Sequence, residues 1–162
     1  MSYLKFTIGI FIILVASRLI PHPPNFTSLI ALSFYVPFFF GLKFIPIVLL
    51  SFFITDLFIG MHSVTLFTWG SVLIICLLSK FLSKTFLLRI SGAVSGTLIF
   101  FMITNFGVWS LGNYTYTIEG FVACYVAAIP FYGNTLISTL LYSLIIEFIY
   151  KFVPLKQIGA IR

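Results

Sequence analysis

The chain has 162 residues, 61% of them hydrophobic and only 7% charged, with a formal net charge of +6. A soluble domain carries roughly 25% charged residues because its surface must meet water, so this composition excludes a soluble fold and leaves most of the surface to lipid. At about 20 helical residues per crossing of a ~30 Å hydrocarbon core, residues 1–162 read as one integral membrane domain of six or seven spans.

The first predicted span covers residues 4–20 and stops at Pro21-His22-Pro23-Pro24, where a helix cannot continue. Its apolar run from Phe6 to Val15, followed by Ala16-Ser17, also resembles a signal peptide, but it is read as a retained helix. The second span covers 27–42, ending at Gly41 and Lys43, and the third covers 44–60 with Asp56 near its far end. The fourth runs over 63–79 and is closed by Lys80; the fifth covers 86–111 and is broken by Gly112-Asn113.

Residues 118–152 are too long for one comfortable crossing, and Pro130 with Gly133 interrupts them. Asn134 before a further apolar run has the pattern of a helix N-cap, which predicts a last span over 134–152. The preceding stretch is then either a further crossing or a short helix. With the amino terminus inside and six crossings, Lys5, Lys43, Lys80, Lys84, Arg89, Lys151, Lys156 and Arg162 all fall inside, eight of nine basic residues. A seventh crossing would put the last three outside, against the positive-inside bias. The expectation is therefore an all-α, six-transmembrane-helix bundle in the bacterial inner (cell) membrane. Both termini are cytoplasmic, and a short re-entrant or interfacial helix spans about 119–131. Basic residues at span ends belong to topology, so the positive charge does not imply a nucleic-acid partner.

In this arrangement nearly every His, Asn, Trp and acidic residue lies in one layer, on the outer side. Arg18 and Asp56 are isolated charges near the membrane boundary. Such charges cost up to ~2.5–3.5 kcal/mol at a helix centre, a cost that a charge-assisted hydrogen bond between them would offset. They form either a structural pair or part of a polar cavity. His22 and His62 lie forty positions apart without ligand spacing such as HxxxH or HExxH, so no metal site and no catalytic residue is assigned. His22 reads as a loop residue, and His62 as a residue that begins the fourth helix. Asn105 and Trp109 share a helix face; Trp109 suits the aromatic belt, while the deeper Asn105 needs a partner. Tyr114, Tyr116, Tyr125 and Tyr132 add polar-tipped rings.

Three features read as structural. Cys76 and Cys124 lie in apolar runs, without a CxxC pair, and read as small buried hydrophobes. Gly92 and Gly96 form a small-residue face for close packing within the bundle. Glu147 is expected to pair with Lys151 one turn on.

The segments Leu19-Ile-Pro-His-Pro-Pro-Asn-Phe-Thr27, Ile54-Thr-Asp-Leu-Phe-Ile-Gly60, Ile103-Thr-Asn-Phe-Gly-Val-Trp109 and Cys124 to Thr135 resemble an uncharacterised family of small bacterial multi-pass membrane proteins. That family in turn is similar in size, helix number and outer polar layer to the S (substrate-binding) components of energy-coupling-factor (ECF) vitamin transporters. The resemblance implies a non-enzymatic membrane subunit that binds a small vitamin-like substrate. It also implies partners, an ECF coupling protein and its ATPases, because the chain has no phosphate-binding loop. The small-residue AxxxA spacing that often serves docking in S components is absent from residues 5–20, which leaves room for a solitary transporter. The expected binding residues are Arg18, His22, Asn25, Asp56, His62, Asn105, Trp109 and Asn134, with no cofactor. The alternatives are a structural or assembly subunit of a larger membrane complex and, third, a membrane-embedded enzyme.

Overall fold

The computed structural model describes residues 2–82 and 85–152, with side chains from Thr7 onward. It is helical throughout: α1 (Ser2–Leu19), α2 (Leu29–Phe40), a 3₁₀ turn (Leu42–Phe44), α3 (Ile45–Ile59), α4 (Thr65–Leu78), α5 (Phe86–Val108), a π-helical turn (Trp109–Asn113) and α6 (Ile118–Phe152). The segments Leu42–Ile59, Phe86–Asn113 and Ile118–Phe152 are long and apolar enough to cross a membrane. Thr7–Leu19, Leu29–Phe40 and Thr65–Leu78 are apolar but shorter. Large apolar side chains such as Leu66, Phe58 and Leu87 point outward, as suits a helical membrane protein whose surface meets lipid. Of the basic residues assigned to the inner side, Lys84, Lys156 and Arg162 lie outside the described residues, as does the side chain of Lys5.

The sequence reading places a break at Pro130 and Gly133, with Asn134 capping a new helix. The structure corrects this: α6 runs unbroken for 35 residues with Pro130 inside it, so there is no separate helix at 119–131. Proline removes one backbone hydrogen bond, a loss that neighbouring helices can offset in a membrane protein. Here α5 supports the segment: the Tyr125 hydroxyl donates to the Met102 carbonyl at 2.8 Å, and the Tyr132 and Phe101 rings pack with centroids 5.0 Å apart.

The shortest helix is central. Ten of the twelve residues of α2 are buried, and it packs against every other helix. The glycine face of α5 makes this possible. A Cβ at Gly92 would stand 2.6 Å from the Phe34 ring, and one at Gly96 would meet Ile30 at 3.3 Å and Ile75 at 3.2 Å. The close approach is thus intramolecular.

These contacts also fix the depth of α2. Ile30, its second residue, is level with Ile75, ten residues into α4. α2 therefore begins deeper in the bundle than α4. The connection 20–28 dips into the bundle to reach it, and the space above α2, between α4, α5 and α6, is left unfilled by helix.

Candidate functional site

Two adjoining cavities of about 240 and 260 Å³ occupy that space. Asn25, His62, Thr68, Phe100 and Thr135 line both, so they form two lobes of one chamber. One lobe lies against α5 and α6, where Thr97, Thr104, Asn105 and Tyr132 face it. The other is bounded by Arg18, His22 and Thr27 with the rings of Phe52 and Phe100. More than half of the lining residues carry a hydrogen-bonding side chain, and the rings of Phe52, Phe100 and Phe101 supply apolar wall between them.

Asn25 sits at the bend of the dipping connection with φ 63°, the single left-handed non-glycine residue among those described. Asparagine tolerates this conformation better than most residues. It turns the chain where Phe26 N–H donates to the Pro23 carbonyl at 3.0 Å. His62 begins the turn into α4: its N–H donates to Thr65 Oγ1 at 3.2 Å, and Thr65 Oγ1 donates back to the His62 carbonyl at 2.5 Å. Among the described residues, the His62 ring, the Asn25 amide and the Asn105 side-chain oxygen have no intramolecular hydrogen-bond partner. The Asn105 amide nitrogen donates back to the Phe101 carbonyl at 2.7 Å. Three free polar groups therefore border the chamber.

Arg18 is anchored from α3. Its Nη2 lies 2.8 Å from Asp56 Oδ1, its Nη1 donates to the Phe52 carbonyl at 3.2 Å and to Thr55 Oγ1, and its guanidinium stands 4.3 Å above the Phe52 ring. Asp56 is almost fully buried and does not line the chamber. Its other oxygen accepts from Trp69 Nε1 at 2.8 Å. The carboxylate thus holds Arg18 at the wall and joins α1, α3 and α4. Both nitrogens of the His22 ring face carbonyl oxygens, Pro23 at 2.7 Å and Arg18 at 3.3 Å. A neutral ring can donate to only one of them.

Of the residues singled out in the sequence, Arg18, His22, Asn25, His62 and Asn105 border the chamber. Three do not. Asp56 acts through Arg18. Asn134 donates to the Pro24 carbonyl at 3.0 Å, clamping the dipping connection to α6. Trp109 belongs to the α5–α6 tip, where Nε1 donates to the Thr115 carbonyl at 3.1 Å and the ring packs edge-on to Tyr116 and Phe121. Sequence reasoning missed the threonines Thr68, Thr97, Thr104 and Thr135 and the rings Phe100 and Phe101. A threonine in an apolar helix commonly bonds its own backbone, so nothing local marks it as facing a cavity. Among the described residues no three His, Cys, Asp or Glu side chains gather as metal ligands. Cys76 and Cys124 are free and buried.

Glu147 requires a second correction. It pairs not with Lys151 but with Arg89, fifty-eight positions away on α5: Nε to Oε1 at 2.5 Å and Nη2 to Oε2 at 2.6 Å. Both residues are buried, at the end of the bundle opposite the chamber. Arg89 also faces the rings of Phe38 at 5.5 Å and Tyr150 at 5.3 Å.

Residues 2–160 match the model of a family described as a family of unknown function (DUF6580). No curated protein matches the chain. No solved structure matches it either.

Proposed function

The chain belongs to the DUF6580 family, and we propose that it is a membrane subunit that binds a small vitamin-like molecule for uptake, in the manner of an S component. The observation that carries this reading is the two-lobed chamber bordered by partner-free polar groups of Asn25, His62 and Asn105, backed by aromatic rings. A bundle closed for docking alone would fill that space with side chains, because protein interiors leave few voids larger than a water molecule. The chamber therefore favours ligand binding over an assembly subunit.

On this reading all six helices cross or enter the bilayer, both termini are cytoplasmic, and the chamber opens to the outside. The placement of eight of nine basic residues on the inner side supports that orientation. The shorter helices are accommodated by bilayer thinning and by the connection that dips into the protein. Ring faces of Phe100 and Tyr132 suit a flat, unsaturated moiety, and the free amide and imidazole groups suit its hydrogen-bonding edge. Uptake driven by ATP would need a coupling protein and ATPases as partners.

The test is uptake of labelled vitamins by cells producing the chain, with and without an energy-coupling module, beside native mass spectrometry of the purified protein. A retained small molecule and time-dependent uptake are expected. No uptake of any candidate, together with stable isolation inside a large complex, would instead support the assembly role.

A further inference from the structure

Hydroxyl groups are frequent in these helices, and nearly all dispose of their proton in the same way. Ser33, Ser51, Thr55, Thr97, Thr104 and Thr135 each donate to a carbonyl of the preceding turn, at 2.7–2.9 Å. This is the usual way a serine or threonine satisfies itself in an apolar helix. Thr139 and Ser143 do not. Both are fully buried; Thr139 Oγ1 has no hydrogen-bond partner, and Ser143 Oγ lies beside the Tyr35 hydroxyl without a well-formed bond. The Tyr35 hydroxyl of α2, beside Ser143 and Glu147, is likewise buried without a well-formed hydrogen bond.

These groups are not scattered. Thr135, Thr139, Ser143 and Glu147 follow one another at intervals of four on α6, an i, i+4 ridge, and all four are buried. Thr135 lines both lobes of the chamber. Glu147 lies about 18 Å further along at 1.5 Å per residue, locked to Arg89 by two short bonds. Beyond the pair, at the other end of the bundle, a concavity of about 520 Å³ reaches Arg89 and Glu147. A polar file with unused hydrogen-bonding capacity therefore joins the chamber to an ion pair, and the ion pair separates it from an opening on the far side. Leaving polar groups unsatisfied in an apolar interior is costly, which is a poor way to build a purely structural seam.

We propose that the buried face of α6 from Thr135 to Glu147, opposite Tyr35 of α2, is a closed passage for the chamber's ligand, with the Arg89–Glu147 pair as the gate at its far end. This deepens the uptake reading and rests on it. The file holds only hydroxyls between chamber and gate, so it suits a neutral, hydrogen-bonding ligand, since an isolated charge would be strongly disfavoured there. As the ligand passes, its polar groups take up the free hydroxyls in turn. When the gate parts, Arg89 keeps the rings of Phe38 and Tyr150 as neighbours, so its charge is not left bare. A passage of this kind carries the ligand through the chain's own helices.

Cysteine accessibility tests this with the full chain in lipid nanodiscs. In a Cys76→Ala/Cys124→Ala background, single cysteines replace Ser143 (passage), Thr104 (chamber) and Ile146 (apolar packing on the same helix). Labelling by the small neutral reagent methyl methanethiosulfonate is followed by intact mass, with Ile146→Cys reporting any entry through lipid. Thr104→Cys is expected to react readily. Ser143→Cys is expected to react slowly with the pair intact and at least about tenfold faster after Glu147→Gln, while Ile146→Cys stays slow. Because Glu147→Gln leaves a lone buried guanidinium, the neutral pair Arg89→Gln/Glu147→Gln is measured too. The swapped pair Arg89→Glu/Glu147→Arg is expected to restore the slow rate. If Thr104→Cys reacts but Ser143→Cys is no faster in either variant, or Ile146→Cys rises equally, there is no passage and the chamber stands alone. If Thr104→Cys is itself inert, the chamber is closed and the uptake reading fails with the passage.

Discussion

The side-chain amide of Asn134 donates to the carbonyl of Pro24 at 3.0 Å, joining positions 110 residues apart in the chain. Pro24 precedes Asn25, whose left-handed backbone turns the dipping connection back toward α2. This bond therefore ties the connection that walls the chamber to the longest helix.

Replacing Asn134 with Ala is expected to cost only about 1 kcal/mol in folding, the net worth of one hydrogen bond. Its larger effect is local: amide hydrogen exchange should speed up over residues 22–27 and stay unchanged in α2. Unchanged exchange in that segment would show that the connection is held by packing alone.

Asp56 and Trp69 share a hydrogen bond but not a role. Asp56→Ala strands the Arg18 guanidinium at a poorly solvated wall and is expected to destabilise by about 3–5 kcal/mol, the range for breaking a buried pair from one side. Trp69→Phe keeps most of the packing against Phe52 and Phe53 and gives up one hydrogen bond, about 1.5–3 kcal/mol for one made to a charged group. Thermal unfolding in detergent should therefore rank Asp56→Ala well below Trp69→Phe. Equal losses would mean that the indole, not the ion pair, holds the three helices together.

The glycines differ in a way that two alanine variants separate. Gly92→Ala forces a methyl to 2.6 Å from the Phe34 ring and is expected to cost about 1–3 kcal/mol by overpacking, partly recovered by Phe34→Leu. At Gly133 a Cβ would meet nothing within 4 Å. In an unbroken helix the same change should stabilise by up to about 1 kcal/mol. A destabilising Gly133→Ala would indicate a hinge at that point in α6.

Thr104→Phe places a ring in the lobe against α5 and α6. Native mass spectrometry is expected to show loss of any retained small molecule, with unfolding temperature changed by no more than a few degrees. Retention of the ligand would move the binding site to the lobe beside Arg18.

What could be read in the sequence follows the cost of each feature. The Arg18–Asp56 pair was legible because an isolated charge in an apolar run needs a partner, and two such charges stood at the same depth. Glu147 misled because Lys151 offered a local partner, while Arg89 stands fifty-eight positions away and only the packing of α5 on α6 brings it near. The break assigned to Pro130 followed the backbone rule, but aromatic contacts with α5 sustain the helix. The depth of α2 was not legible at all, since it depends on which turn of α4 and α5 its first residues meet, and the chamber exists because of that depth.

The twelve residues of α2 make a rod of only about 18 Å, far short of a hydrocarbon core of roughly 30 Å. In a bilayer the floor of the chamber would then lie below the level of the head groups. A guest reaching it exchanges bulk water for a medium where each hydrogen bond counts for more and each missing one is felt in full. On the proposed uptake reading, a host built this way would tell close chemical relatives apart by a single absent donor or acceptor, as happens when a buried polar group is left without its counterpart. On that reading, the shortness of one central helix becomes a source of discrimination.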